Sequence, residues 1–318
     1  MSPKPQKKRI LIIRHGALGD FICTLGAFAA IRAHHKNDHI TLLTSTPYLS
    51  LAQATGFFDE YHIDNRPKVF IFHKWLALRA WFRRSQFDRV YDLQTSKRTN
   101  LYYKFFGPGK MPEWSGTATK CSHPQTTPHR TTMHIFDRFA DQLKIAGIPH
   151  TPLPHVEWAN TNIIKFKLPE KFILLIPGCS AQAEFKRWPA AYYAQLAQRI
   201  WERGILPVVI GSIVDQTVVQ DVLRLCPHVI DLSQKTSLLE VIALAHHAQA
   251  IVGNDTGPVH LAAAKRKPTL MLFSGVHNPK KIAPTYGNVI IIEKNPLSAL
   301  SVDEVDAILQ QQLIQFQP

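Results

Sequence analysis

Cysteine, acidic side chains and apolar residues near the start are all scarce in this 318-residue sequence. The four cysteines, Cys23, Cys121, Cys179 and Cys226, form no CxxC pair and have no histidine at metal-ligand spacing. That argues against a zinc knuckle or a disulfide framework and leaves reduced, structural thiols. The basic start Met1–Arg9 leads into only four apolar residues, Ile10–Ile13, before Arg14 interrupts. Four residues are far too few for a signal-peptide core or a membrane span, so the chain is expected to stay in the cytoplasm. Asp and Glu total 23 against 37 Lys and Arg, a formal net charge of +14 with a sequence pI near 9.7. Such a balance calls for anionic partners. Nucleotide diphosphates, phosphorylated glycolipids, anionic membrane surfaces and nucleic acid all qualify, and charge alone does not choose among them.

Two common phosphate-binding patterns are also missing. Neither GxGxxG nor GxxxxGK[ST] occurs, so a standard dinucleotide fingerprint and a P-loop are excluded.

What is present is a globular balance, 45% hydrophobic and 19% charged, over a length that suits two domains. Short apolar runs recur at Ile10–Ile13, Ile40–Leu43, Arg89–Leu93, Phe172–Ile176, Pro207–Gly211, Ala250–Gly253 and Thr269–Phe273, each followed by a turn and a helical pattern. Alternating buried strands and helices predict parallel α/β sheets. The rhythm breaks between Pro149 and Asn162, which sets the expected boundary: residues 1–155 in one doubly wound domain, 156–318 in another, with ligands held beyond the carboxyl ends of the strands. The stretch Gly107–Thr132, rich in Pro, Gly, Thr, His and Lys, reads as a long loop, either an acceptor-contacting segment or a plain surface insertion.

Three motifs follow strands. Arg14–Asp20 (RHGALGD) is a glycine turn into a helix, with Gly16 and Gly19 bending the chain and Asp20 at the helix start. Asp20 is there either as a cap or as a carboxylate able to accept a proton from a hydroxyl. The triplet Arg14–Gly16 also matches the phosphohistidine signature of histidine phosphatases, which would make His15 a nucleophile. At mid-chain, Pro177–Ser180 precedes Lys186–Pro189 and a helix; Lys186 is placed to neutralise a diphosphate, or is simply solvated. Near the end, Asn254–His260 leads from a strand into a helix expected over Pro258 to about Lys265. Its first turn would attract phosphate, Thr256 offers a hydroxyl, Gly257 permits close approach, and Asp255 suits a sugar or ribose hydroxyl. The stretch His73–Arg84 mixes basic and aromatic residues at helical spacing, which fits either a membrane-surface contact or an ordinary helix with a buried aromatic stripe.

Taken in order, RHGALGD, PGCS with KRWP, GSIVD and NDTGPVHLAAA resemble glycosyltransferase family 9, the ADP-heptose:lipopolysaccharide heptosyltransferases, over nearly the whole chain. The resemblance implies a GT-B fold of two Rossmann-like domains facing across a cleft, the first binding the acceptor and the second the nucleotide sugar. It implies an inverting transferase that needs no metal or other cofactor, in keeping with the missing Asp-x-Asp motif. By the same resemblance, Asp20 is the catalytic base and Lys186 contacts the donor diphosphate. Asp255, Thr256, Gly257 and His260 form the donor turn, Asp215 stands where some members carry a ribose-side glutamate, and Ser180 is an approximate match beside the phosphates. The implied partners are a nucleotide-diphosphate sugar and a lipopolysaccharide-core or related anionic glycolipid. Contact with the inner face of the cytoplasmic membrane stays open and nucleic acid is not expected. Two rivals stand beside this reading: a phosphohydrolase using His15, and a nucleotide-sugar or glycolipid-binding module without turnover.

Overall fold

The computed structural model describes residues 7–68, 70–180, 182–276, 278–286 and 288–316. It divides into two compact units, Met1–Pro154 and His155–Pro318.

In the first unit the strands are β1 (Arg9–Ile13), β2 (His39–Thr44), β3 (Glu60–Ile63), β4 (Arg89–Asp92), β5 (Glu113–Gly116) and β6 (His123–Pro124). They form one sheet in the order β3-β2-β1-β4-β5-β6, with every pairing parallel. The central strand β1 is apolar on both faces because helices cover both, and Ile10–Ile13 have no exposure at all. On one side of this sheet Leu11, Ile13, Val90 and Trp114 pack with Leu78 and Phe82 of the helix Phe72–Ser85.

The second unit repeats the plan. Its strands are β7 (Phe172–Ile176), β8 (Leu206–Val209), β9 (Ile230–Asp231), β10 (Ala250–Asn254), β11 (Thr269–Phe273) and β12 (Val289–Glu293). Their order is β12-β11-β10-β7-β8-β9, again wholly parallel. Counted from its own first strand, each sheet runs 3-2-1-4-5-6, the doubly wound order in which the direction of winding reverses between the first and fourth strands. The reversal falls between β1 and β4 in one unit and between β7 and β10 in the other. Three of the motifs read from sequence, after β1, β7 and β10, lie at these two reversals.

The seven apolar runs all become strands, within a residue or two of their expected ends. The reading of 107–132 as a loop is corrected: it contains β5 and β6, and Trp114 of β5 is fully buried. A four-residue strand and the two-residue edge strand beyond it carry too little apolar sequence to announce themselves. The helix after β10 is also shorter than expected, Gly257–Ala263.

Candidate active site

At the first reversal, β1 delivers the chain into a turn at Gly16, whose φ of +100° suits glycine. Space enforces the choice as well, since a Cβ there would stand 2.3 Å from the Tyr48 ring. Gly19 plays no such part; it lies inside the first turn of the helix Leu18–Cys23. Ala17 is the N-cap of that helix, and no side chain caps it. Asp20 is therefore free of the capping duty that its position allowed. Its carboxylate is half exposed, and its nearest cation is Arg14, at 3.7 Å.

Arg14 is buried and holds this turn from beneath. Its Nη1 donates to the Leu93 carbonyl at 2.7 Å, its Nη2 to the Asp20 carbonyl at 2.7 Å, and the guanidinium lies 5.5 Å from the Phe139 ring centre. Burial pulls the Arg14 pKa down, and the charge of Asp20 is the main influence opposing it. Arg138 is shifted the same way by burial and also feels Asp20.

His15 is wholly buried, with Nε2 2.9 Å from Asp64 Oδ2 and Nδ1 closed off from solvent. Tyr102 donates to the same Asp64 oxygen. Burial alone would raise the Asp64 carboxyl; the bonds from His15 and Tyr102 outweigh it and bring the pKa down to about 2. A ring this enclosed cannot attack a phosphomonoester in line, which removes the structural basis for His15 as a nucleophile. Asp64 was missed in the sequence because β3 was missed, Asp64 being the first residue after it, and Tyr102 because its helix Lys97–Tyr103 carries no motif.

At the second reversal the residues after β7 and β10 meet. Lys186, in a 3₁₀ turn at Glu184–Lys186, donates to Asp255 Oδ2 at 2.6 Å, and His260 Nε2 lies 3.2 Å from Asp255 Oδ1. The Asp255 carboxyl is buried, which would raise its pKa, but these two partners hold it below the ordinary value. Thr256 is the N-cap of the helix Gly257–Ala263, yet its side chain makes no capping bond, so its hydroxyl is available. Gly257 opens that helix and Ser180 is exposed in the loop after β7.

Beneath this cluster sits Asn254, buried at the end of β10. Its side-chain nitrogen donates to the Pro177 carbonyl at 2.8 Å, and its oxygen accepts from the Trp188 N–H at 3.1 Å and the Tyr193 hydroxyl at 3.0 Å. Asp215, expected on the ribose side, is bound into the loops of the fold. It is buried, Oδ1 accepts from the Cys179 N–H at 3.1 Å, and Oδ2 accepts from the Ser212 N–H at 2.9 Å and hydroxyl at 2.7 Å. It braces the loop after β7 against the loop after β8. Gly178 makes room for it, since a Cβ there would come within 2.3 Å of the carboxylate carbon.

Comparison with known proteins gives the family and the fold. Residues 75–308 match the family model described as glycosyltransferase family 9 (heptosyltransferase). The lipopolysaccharide core heptosyltransferase OpsX of Haemophilus influenzae is 24% identical over 304 residues, 89% of this chain and 83% of the relative. Among solved structures, ADP-heptose lps heptosyltransferase II of E. coli superposes with a TM-score of 0.80 at 20% identity, covering 96% of this chain and 99% of that one. E. coli heptosyltransferase WaaC with ADP-2-deoxy-2-fluoro heptose does so with a TM-score of 0.74 at 18% identity, covering 95% and 99%. The fold shared with these structures is GT-B.

Proposed function

Because this chain belongs to glycosyltransferase family 9, the heptosyltransferases, we propose that it moves a heptosyl group from ADP-heptose to a hydroxyl of a lipopolysaccharide-core acceptor, with inversion and without a metal. Relatives of this chain are lipopolysaccharide heptosyltransferases, and one solved neighbour carries an ADP-heptose analogue, which supports donor and acceptor class alike. Nucleotide-activated sugars are cytoplasmic metabolites, so the reading puts the reaction on that side of the membrane.

The observation that carries the mechanism is the state of Asp20. Its carboxylate does no capping, is half exposed and is seated beside a buried arginine whose donors hold the turn. In the proposed reaction Asp20 takes the proton of the acceptor hydroxyl, the oxygen attacks the anomeric carbon, and the bond from that carbon to the diphosphate breaks with inversion. Negative charge develops on the departing diphosphate. Lys186 meets it by exchanging its Asp255 partner for phosphate oxygens, while His260 keeps a contact on Asp255; the Thr256 hydroxyl and the start of the following helix add donors.

The test is acceptor-dependent release of ADP. Asp20→Ala is expected to lower turnover by at least about a thousandfold, in the range expected for loss of a general base. ADP binding, read by thermal shift, should stay within about twofold of the parent. Turnover near the parental rate would remove Asp20 from the role of base. Release of ADP without acceptor at the full rate would make the chain a hydrolase.

A further inference from the structure

From residue 65 to residue 87 the sequence contains no Asp or Glu but six cations, Arg66, Lys68, Lys74, Arg79, Arg83 and Arg84. The segment supplies the end of the loop after β3 and the helix Phe72–Ser85. Leu78 and Phe82 anchor the inner face of that helix in the core. Its outer face is not the mixed-charge surface of an ordinary solvated helix. Phe72, Leu76, Ala80 and Arg83 follow one another at helical spacing and are all exposed, with His73, Lys74, Ala77 and Arg84 exposed around them. Phe72 is 71% exposed, Leu76 64%, and Phe70 just before the helix 69%. The neighbouring helix Lys97–Tyr103 continues the pattern through Lys97, Leu101 and Lys104, all exposed. The two are tied together where the Arg98 guanidinium lies 4.4 Å from the Trp75 ring centre.

The place of this face matters. Asp64, at the start of the same loop, touches His15 in the turn after β1, and Arg98 donates to the Pro67 carbonyl. The aromatic end of the helix thus stands at the carboxyl edge of the first sheet, the edge that carries Asp20.

We propose that the outer face of the helix Phe72–Ser85, together with Phe70, docks the protein onto an anionic lipid bilayer. Apolar side chains surrounded by cations match a surface that is anionic at the headgroups and hydrocarbon just beneath. A nucleic acid would satisfy the cations but offers nothing to Leu76, Ala77 and Ala80. Among the described residues no helix is long and apolar enough to cross a membrane, so this contact is a surface one. It deepens the acceptor reading above: a membrane-borne glycolipid would be met at the edge where Asp20 waits.

The full chain would be sedimented with vesicles of phosphatidylcholine alone and with vesicles containing about 30% phosphatidylglycerol, without donor or acceptor, so that failure of the docking face and of the transferase reading are separable. Binding is expected to the anionic vesicles only. It should fall at least about tenfold for Phe70→Ser/Phe72→Ser/Leu76→Ser and for Arg83→Glu/Arg84→Glu, both with parental circular dichroism. Turnover on a water-soluble acceptor fragment should be unchanged in both. The proposal is overturned if the parent ignores anionic vesicles, if either folded variant binds them as the parent does, or if the parent prefers a single-stranded oligonucleotide to the vesicles.

Discussion

Asp92, buried at the carboxyl end of β4, accepts from the Gln94 and Thr95 N–H groups at 3.1 and 2.9 Å through Oδ1, while Oδ2 has no partner among the described residues. Burial pushes its carboxyl up to about 6, against 3.8 for an ordinary aspartate, with the Thr95 N–H, the Thr99 side chain, the Gln94 N–H and the charge of Arg14 pulling the other way. The folded chain therefore holds this proton more tightly than the unfolded chain does. Ionising Asp92 costs stability progressively as pH rises from about 4 to about 6, and the cost is constant above that. We expect Asp92→Asn to gain on the parent over the same interval, by up to about 3 kcal/mol, in urea unfolding at pH 4 and pH 7.5. An equal difference at the two pH values would show that the proton sits elsewhere. Asp64 has the opposite sign. Its carboxyl is depressed to about 2, so its contribution is complete above the ordinary aspartate value and is lost as pH falls through about 2. Neither residue stood out in the sequence: the partners of Asp64, His15 and Tyr102, come from distant segments, and the burial of Asp92 comes from the packed sheet rather than from its neighbours in the chain.

Among the elements, the end of β10 shows how backbone architecture holds the turn that carries Asp255. Asn254 ties the loop after β7 to the start of the helix Ala190–Glu202 through the Pro177 carbonyl, the Trp188 N–H and the Tyr193 hydroxyl. Removing it takes the partner from the buried Trp188 N–H and from the Pro177 carbonyl, while the Tyr193 hydroxyl keeps the Ile176 carbonyl at 3.4 Å. Asn254→Ala is expected to cost about 2–4 kcal/mol in unfolding free energy and to weaken ADP binding by loosening the segment that carries Lys186. Calorimetry and ADP titration check both halves, and parental values for either would assign the bracing elsewhere. The apolar strands and their following turns were legible in the sequence because a strand buried on both faces must be nearly all apolar. The turns that carry Asp20, Lys186 and Asp255 were legible as glycine-containing or polar breaks after those strands. The edge strands β3, β6, β9 and β12 and the four-residue β5 beside β6 were not, being short or half exposed, and neither were the bonds that hold Asp215 between the loops after β7 and β8.

For the whole molecule, the two units hold different candidate machinery: Asp20 belongs to Met1–Pro154, and Lys186 with Asp255 to His155–Pro318. We expect ADP alone to slow amide exchange at 176–187 and 254–260 while leaving 10–20 and 92–99 at their free rates. At a hundredfold excess over Kd it should add about 2.7 kcal/mol to stability. Protection confined to the first unit would reverse the donor assignment. A chain with 37 basic and 23 acidic residues draws phosphates of every kind to its surface. Lys186 is shielded from most of them because Asp255 already occupies it at 2.6 Å. The carboxylate behaves as a resident competitor. An inorganic phosphate or a nucleoside monophosphate has to displace it with a single anionic group, whereas a diphosphate brings a second one to pay for the exchange. We therefore expect ADP to displace the ion pair at concentrations where inorganic phosphate and AMP leave it intact, a difference that titration of the three ligands would read.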